Sequence, residues 1–179
     1  MNRTFLVFGA QNSAGALAAR HYGNQGYDVV LVADHAQAVQ ALTSVLESEG
    51  IATRTFTGDL SRPEQARAMI RSIRSSVGPI DAMYYGLDPS NMPEAAALAA
   101  QAADLGCLSL AAVVSEVLPD MRSRKTGAIF LDQGAADLSC SHSANAQLCL
   151  QCLQEARACE GVQVDTLSVS ALIGGRRAS

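Results

Sequence analysis

FLVFGAQNSAG, residues 5–15, joins four apolar residues to a glycine turn and then to small residues that suit a helix. An apolar run without polar alternation reads as a strand buried on both faces, the kind found in parallel sheets. The turn after such a strand, where it opens onto a helix N-terminus, turns backbone N–H groups toward an anion, and a pyrophosphate fits there. Gly9, Ser13 and Gly15 carry the turn in the spacing Gly-x-x-x-Ser-x-Gly, which departs from the common Gly-x-Gly-x-x-Gly fingerprint. Alone, this loop reads equally well as a tight turn with no ligand.

Outward from that turn, strand-like and helix-like segments alternate. Apolar or β-branched runs at 5–8, 29–32, 53–56, 80–84, 128–131 and 162–168 predict strands, and the stretches between them have helical length and periodicity. Glycines at 26, 50, 78, 127 and 161 fall where each helix should end before the next strand. Ser61-Arg-Pro-Glu64 reads as an N-cap with a capping-box Glu. This βαβ rhythm predicts an α/β fold, a parallel sheet with helices on both faces. With 179 residues and no repeat, linker or low-complexity tract, residues 1–179 form one expected domain.

A net charge of −4, with only the short clusters Arg122–Lys125 and Arg176–Arg177, leaves no basic face for nucleic acid. The N-terminal apolar run is too brief for a signal-peptide core. Five cysteines, an odd number, suggest reduced thiols in the cytoplasm. The longest apolar stretch, 95–118, is interrupted by Gln101, Asp104 and Glu116, so it predicts a buried amphipathic helix and no membrane contact.

At this point the sequence resembles the short-chain dehydrogenase/reductase family. Gly9 and Gly15 match the glycines of that family's first turn, with Ser13 in place of the middle one. Gly58-Asp-Leu60 is similar to the segment whose Asp, here Asp59, meets the adenine ring. Ile80–Tyr84 resembles the fourth strand, 117–130 the passage from helix to fifth strand, and 161–168 the sixth strand. The resemblance implies a doubly wound Rossmann-type sheet of about six strands in the order 3-2-1-4-5-6. It also implies a dinucleotide site. Asp34, close to where an acid selects an unphosphorylated ribose, favours NAD or an adenine nucleotide over NADP.

The family's hydride-transfer set of Asn, Ser, Tyr and Lys falls on Gly106, Gly134, His142 and Ala146. No Tyr in the chain has Lys four residues on, and the one Lys is Lys125. Ala146 cannot bond the nicotinamide ribose, which puts full-strength dinucleotide binding in question along with hydride transfer. The chain ends at Ser179, where family members continue through a substrate loop, so closure over a substrate from that side is not expected. The leading expectation is thus a member of the fold that acts by binding a nucleotide or small ligand, or as a structural partner.

Two other readings stay open. His142, oriented by Asp132 and joined by Tyr85, would support lyase, isomerase or cyclase chemistry, because imidazole titrates near neutrality. Alternatively His142 replaces the family's Tyr in an unorthodox NAD(P)-dependent oxidoreductase. The plain reading of His142 is a solvent-side residue at a helix start. Of Tyr84 and Tyr85, one is expected to pack the core and the other to line the cleft. Cys149 and Cys152 form a Cys-x-x-Cys within a helix, away from any helix N-terminus, so small apolar packing is expected and no metal. His21 and His35 are expected on solvated faces. The family packs helices 95–118 and 144–158 against a second subunit, and their apolar character implies a homodimer or tetramer.

Overall fold

The computed structural model describes residues 3–10, 13–58, 62–86, 96–132 and 143–167. Six strands form one parallel sheet: β1 Arg3–Phe8, β2 Tyr27–Ala33, β3 Thr53–Thr57, β4 Ala82–Tyr85, β5 Gly127–Leu131 and β6 Val162–Thr166. Their order is β3-β2-β1-β4-β5-β6, the order implied by the sequence resemblance. Five helices connect them among the described residues: α1 Ser13–Gly23, α2 Ala36–Ser48, α3 Pro63–Val77, α4 Ala96–Arg124 and α5 Ala144–Ala158.

The strand period of two divides the apolar residues between two cores. Phe5, Val7, Val29, Leu31, Ala82 and Tyr84 face α1 and α2, where Ala18, Ala19, Val39 and Leu46 meet them. Leu6, Phe8, Val30, Val32, Met83, Tyr85 and Ile129 face α3, α4 and α5. Because both faces are covered, β1, β2 and β4 have no reason to alternate polar and apolar residues. Burying each large aliphatic side chain contributes about 1.5–3 kcal/mol, so the sheet interior supplies most of the driving force.

Three local expectations are corrected. α3 begins at Pro63 with Arg62 at the N-cap and no side-chain cap bond, not with a Ser61 capping box. Proline's fixed φ and missing N–H suit the first helical position, which sets the cap at the residue before it; Ser61 itself lies outside the described residues. β4 starts two residues later than expected, since Asp81 turns its carboxylate back to accept from the Thr4 amide at 2.8 Å. α4 runs through Pro119 to Arg124, beyond the expected end at 118. Its last turn is held by fully buried Met121 and by Arg124, whose guanidinium donates to Asp81 Oδ1 at 2.6 Å and to the Ile80 carbonyl at 2.8 Å.

α4 is gripped on three sides. The five consecutive residues Leu110 to Val114 are each at most 5% exposed, because α3, the sheet and α5 all pack on it. Much of the apolar girth that suggested a second subunit is therefore consumed within the chain.

Candidate functional site

In doubly wound sheets ligands sit at the carboxyl ends of the strands, where the strand order reverses. Here that point lies between β1 and β4, which pair from Phe5 with Ala82 to Phe8 with Tyr85. One residue further on, Gly86 donates its amide to the Phe8 carbonyl at 3.1 Å, Asp132 to Tyr85 at 3.1 Å and Leu167 to Leu131 at 2.7 Å. Gly9, Gly86, Asp132 and Leu167 thus form one row along the carboxyl edge.

Gly9 turns out of β1 with φ of 77°, a left-handed conformation that favours glycine. Ala10 beside it is buried, and α1 opens at exposed Ser13 with Gly15 buried in its first turn. A glycine at positive φ in the turn between a strand and a helix lets backbone approach a phosphate closely. On the neighbouring strand, Asp34 is exposed just past the end of β2, in the bend that leads to α2. The Gly58 amide donates to the Ala33 carbonyl at 3.2 Å and fixes the entry to the segment carrying Asp59. Asp59 lies outside the described residues, as do His142 and Gly134.

Tyr85 is brought to the same edge but points into the core. It is 6% exposed, packs on Phe8 with ring centroids 5.6 Å apart, and donates its hydroxyl to the Gly106 carbonyl at 3.2 Å. Burial, followed by the nearby Cys149, Cys107 and Asp132, pushes its ionisation well above the ordinary tyrosine range. Such a hydroxyl is a fixed donor and not an acid–base group. Tyr84 is fully buried on the opposite face of β4, so neither tyrosine lines a cleft. Asp132 is half-buried at the end of β5.

Ala146, which the sequence resemblance sets against the family's Lys, lies at the start of α5. Ser143 caps α5 by accepting the Ala146 amide on its hydroxyl at 3.0 Å, which fixes Ala146 in the first turn. Ala146 is fully buried, and its methyl offers nothing to a ribose hydroxyl. A glycine turn ahead of a helix suits a phosphate, whereas the Ala146 methyl has no hydrogen bond to offer.

The sequence reading missed a polar seam between α4 and α5. Asn145 Nδ2 donates to Asp104 Oδ2 at 2.5 Å, while Asp104 Oδ1 is buried with no hydrogen-bond partner among the described residues. One turn deeper Cys107 and Cys149 are each 1% exposed in the same core, and the neighbouring Cys107 thiol, then burial, pushes the ionisation of Cys149 up. The signal was present in Asp104, a charge inside a mainly apolar stretch of α4, but its partner 41 residues on is not readable from periodicity.

The sequence profile of the short-chain dehydrogenases matches residues 3–131, and the chain belongs to that family. No curated protein matches it. Among solved structures it is similar to a metagenomic short-chain oxidoreductase in complex with NADP, with a TM-score of 0.71 at 21% identity, covering 95% of this chain and 83% of that one. It is also similar to 2-keto-3-deoxy-D-gluconate dehydrogenase from Streptococcus agalactiae, with a TM-score of 0.72 at 19% identity, over 92% of this chain and 66% of that one. A third is NAD+-bound xylitol dehydrogenase, with a TM-score of 0.69 at 16% identity, over 92% and 68%. These likenesses establish the fold. Among the described residues no helix is long and apolar enough to cross a membrane, and no cluster of three metal-ligating side chains occurs.

Proposed function

We propose that this protein binds an adenine nucleotide at the β1–α1 turn and does not perform tyrosine-assisted hydride transfer. The observation that carries the proposal is buried Ala146 in the capped first turn of α5, where a hydride-transfer site of this family needs a cation. Gly9 at positive φ, the α1 N-terminus and Asp34 beyond β2 support the adenosine half. A carboxylate beside the ribose repels a 2′-phosphate, so NAD or a simple adenine nucleotide is preferred over NADP. Calorimetric titration of the full chain with NAD, NADH, NADP, NADPH and ADP tests this. Binding of ADP and NAD with similar affinity, and weaker binding of NADP, is the expected result, because nothing at Ala146 rewards the nicotinamide ribose. Silence toward all five overturns the nucleotide reading.

A second reading is an oxidoreductase in which His142 takes the role of the missing tyrosine. It is favoured by the comparison structures, which are named as dehydrogenases and an oxidoreductase, two of them holding NADP or NAD+. Cofactor-dependent turnover of a carbonyl or alcohol that disappears in His142→Ala would establish it and remove the first reading. The non-redox reading with His142, Asp132 and Tyr85 is the weakest, since the Tyr85 hydroxyl is already committed to Gly106. For assembly we keep the homodimer across α4 and α5 as a proposal. Among the described residues, Leu105 and Leu148, 38% and 46% exposed, are the large apolar side chains those helices leave outward.

A further inference from the structure

We propose that β3 pairs antiparallel with the β3 of a second copy of this chain, joining two six-stranded sheets across a two-fold axis at Thr55. This inference does not rest on the nucleotide reading, and the contact lies at the edge of the sheet opposite β6.

β3 is the end strand, so one of its sides has no neighbouring strand. In a parallel ladder, alternate residues turn their main-chain groups to the neighbour. Val29 donates to the Ala52 carbonyl at 2.8 Å and the Gly58 amide to Ala33 at 3.2 Å, with Val29 in register with Thr53 and Ala33 with Thr57. That ladder spends the main-chain groups of residues 52, 54, 56 and 58 on β2 and turns those of Thr53, Thr55 and Thr57 outward. None of these outward amides and carbonyls has a hydrogen-bond partner among the described residues.

An open edge is a template for a further strand, and proteins guard edges with proline, lysine or bulges. β3 reads Thr-Arg-Thr-Phe-Thr, without proline or lysine, and its unbroken register with β2 leaves no bulge. At the other edge the Val162 amide is already spent on the Cys159 carbonyl, so β3 is the more complete template.

The strand complements itself about Thr55. Antiparallel pairing centred there sets Thr55 against the partner's Thr55 and Thr53 against the partner's Thr57, which uses every outward position of both copies. The threonines lie on the α2 side, where Thr43 Oγ1 is 3.3 Å from Thr55 Oγ1, and Thr–Thr pairs across strands are favourable. On the other side Arg54, the one charge of the strand, meets the partner's Phe56, a guanidinium against a ring. Ser76 pins that guanidinium on this side through its carbonyl at 3.1 Å and its hydroxyl at 3.2 Å. Centring the contact on Arg54 instead would oppose two guanidiniums and leave one outward position of each copy unused. A two-fold contact requires one patch to complement itself, and β3 meets that requirement.

The test measures particle mass by sedimentation velocity, from micromolar to hundreds of micromolar chain, for the parent, Thr55→Pro and Leu148→Glu. A contact made by one strand and its flanks falls at the small end of specific interfaces, below about 1,200 Å² in total, so assembly should follow concentration. The parent should reach at least twice the 18.7 kDa of the chain. Proline is tolerated at an outward edge position, so Thr55→Pro removes the central pairing bond, keeps the ladder to β2 and should halve the particle mass. A parent that stays at chain mass leaves the edge to some other extended chain and overturns the proposal. So does a mass lost in Leu148→Glu on α5 and kept in Thr55→Pro. Amide hydrogen exchange of the parent gives a reading that no variant can distort: exchange at Thr53, Thr55 and Thr57 should slow as the mass doubles, and fast exchange there in the assembled particle overturns the proposal.

Discussion

The two ends of the sheet are held by different chemistry. At the amino end, Arg124 bridges Asp81 and Asp120, Asp81 takes the Thr4 amide, Lys125 reaches Glu160 at 2.7 Å, and Arg20 pairs with Glu49 at 2.5 Å. At the carboxyl end the described ties are a tyrosine hydroxyl on a carbonyl and an amide on a carboxylate. The ion pairs lie toward the ends where helices finish and strands begin, and among the described residues none is found at the carboxyl edge. The difference teaches that the amino end fixes the fold, while the carboxyl end has been filled in by groups that pack.

Substitutions at the amino end should therefore cost the most. Gly161 enters β6 with φ of 79°, and a Cβ there would strike the Lys125 carbonyl, which is backbone and cannot swing away. Gly161→Ala should lower unfolding free energy by about 3 kcal/mol through strain and overlap together. Urea denaturation reads the loss; a change under 1 kcal/mol would mean the two backbones separate easily. Arg124→Ala comes next, at about 2 kcal/mol, since it strands the partly buried Asp81 carboxylate with only the Thr4 amide. The loss should be smaller in an Asp81→Asn background, and a double-mutant cycle measures that coupling. If the two losses simply add, the charged tie contributes nothing as a pair.

The amino-acid sequence discloses these two ends unequally. Strand positions and the glycines past α1, α2, α3 and α5 follow from local periodicity and turn chemistry, which adjacent residues carry. That is why α5 is found at 144–158 as expected and β3 begins at Thr53. The order of the sheet comes instead from the family resemblance, and after α4 the left-handed residue is Lys125, with Gly127 already in β5. The end of α4 is not legible. Pro119 reads as a stop, and only the distant Asp81 and Ile80 show why the helix continues to Arg124. The site is half legible for the same reason. Gly9, Ser13, Gly15 and Asp34 are local features of a turn and lie where expected. The Asp104–Asn145 contact joins residues from separate helices, and no spacing rule links them. Tyr85 illustrates the third case: its place at the strand end was correct, but the direction of its side chain depends on Gly106 leaving a carbonyl open to it.

A smaller effect probes the carboxyl end directly. Tyr85→Phe keeps the ring stacked near Phe8 and removes only the hydroxyl that Gly106 accepts, so it should cost about 1 kcal/mol. Nucleotide affinity should stay within twofold of the parent, because the hydroxyl faces the core and not the edge. A large loss of affinity with stability intact would give Tyr85 a ligand-contacting role and would break the contrast between a fold-fixing end and a site-bearing one.

The smallest effect lies in pH. Tyr22 on α1 stacks on Phe5 at 4.2 Å and meets Tyr27 edge-on at 5.4 Å, forming an uncharged cluster beside the charged ties of the amino end. Burial, then Tyr27 and Asp165, pushes its ionisation up to about 12, whereas the unfolded chain loses that proton near the ordinary value of 10.0. Because the folded state holds the proton more tightly, the contribution of Tyr22 is whole below pH 10 and declines as pH rises toward 12. Over that window the Tm of the parent should fall more steeply than that of Tyr22→Phe, which has no proton to lose. The difference between the two slopes isolates Tyr22 from every other group titrating in the range. Equal slopes would mean that the hydroxyl reaches water in the folded state, and the stability of the amino end would then rest on its ion pairs alone.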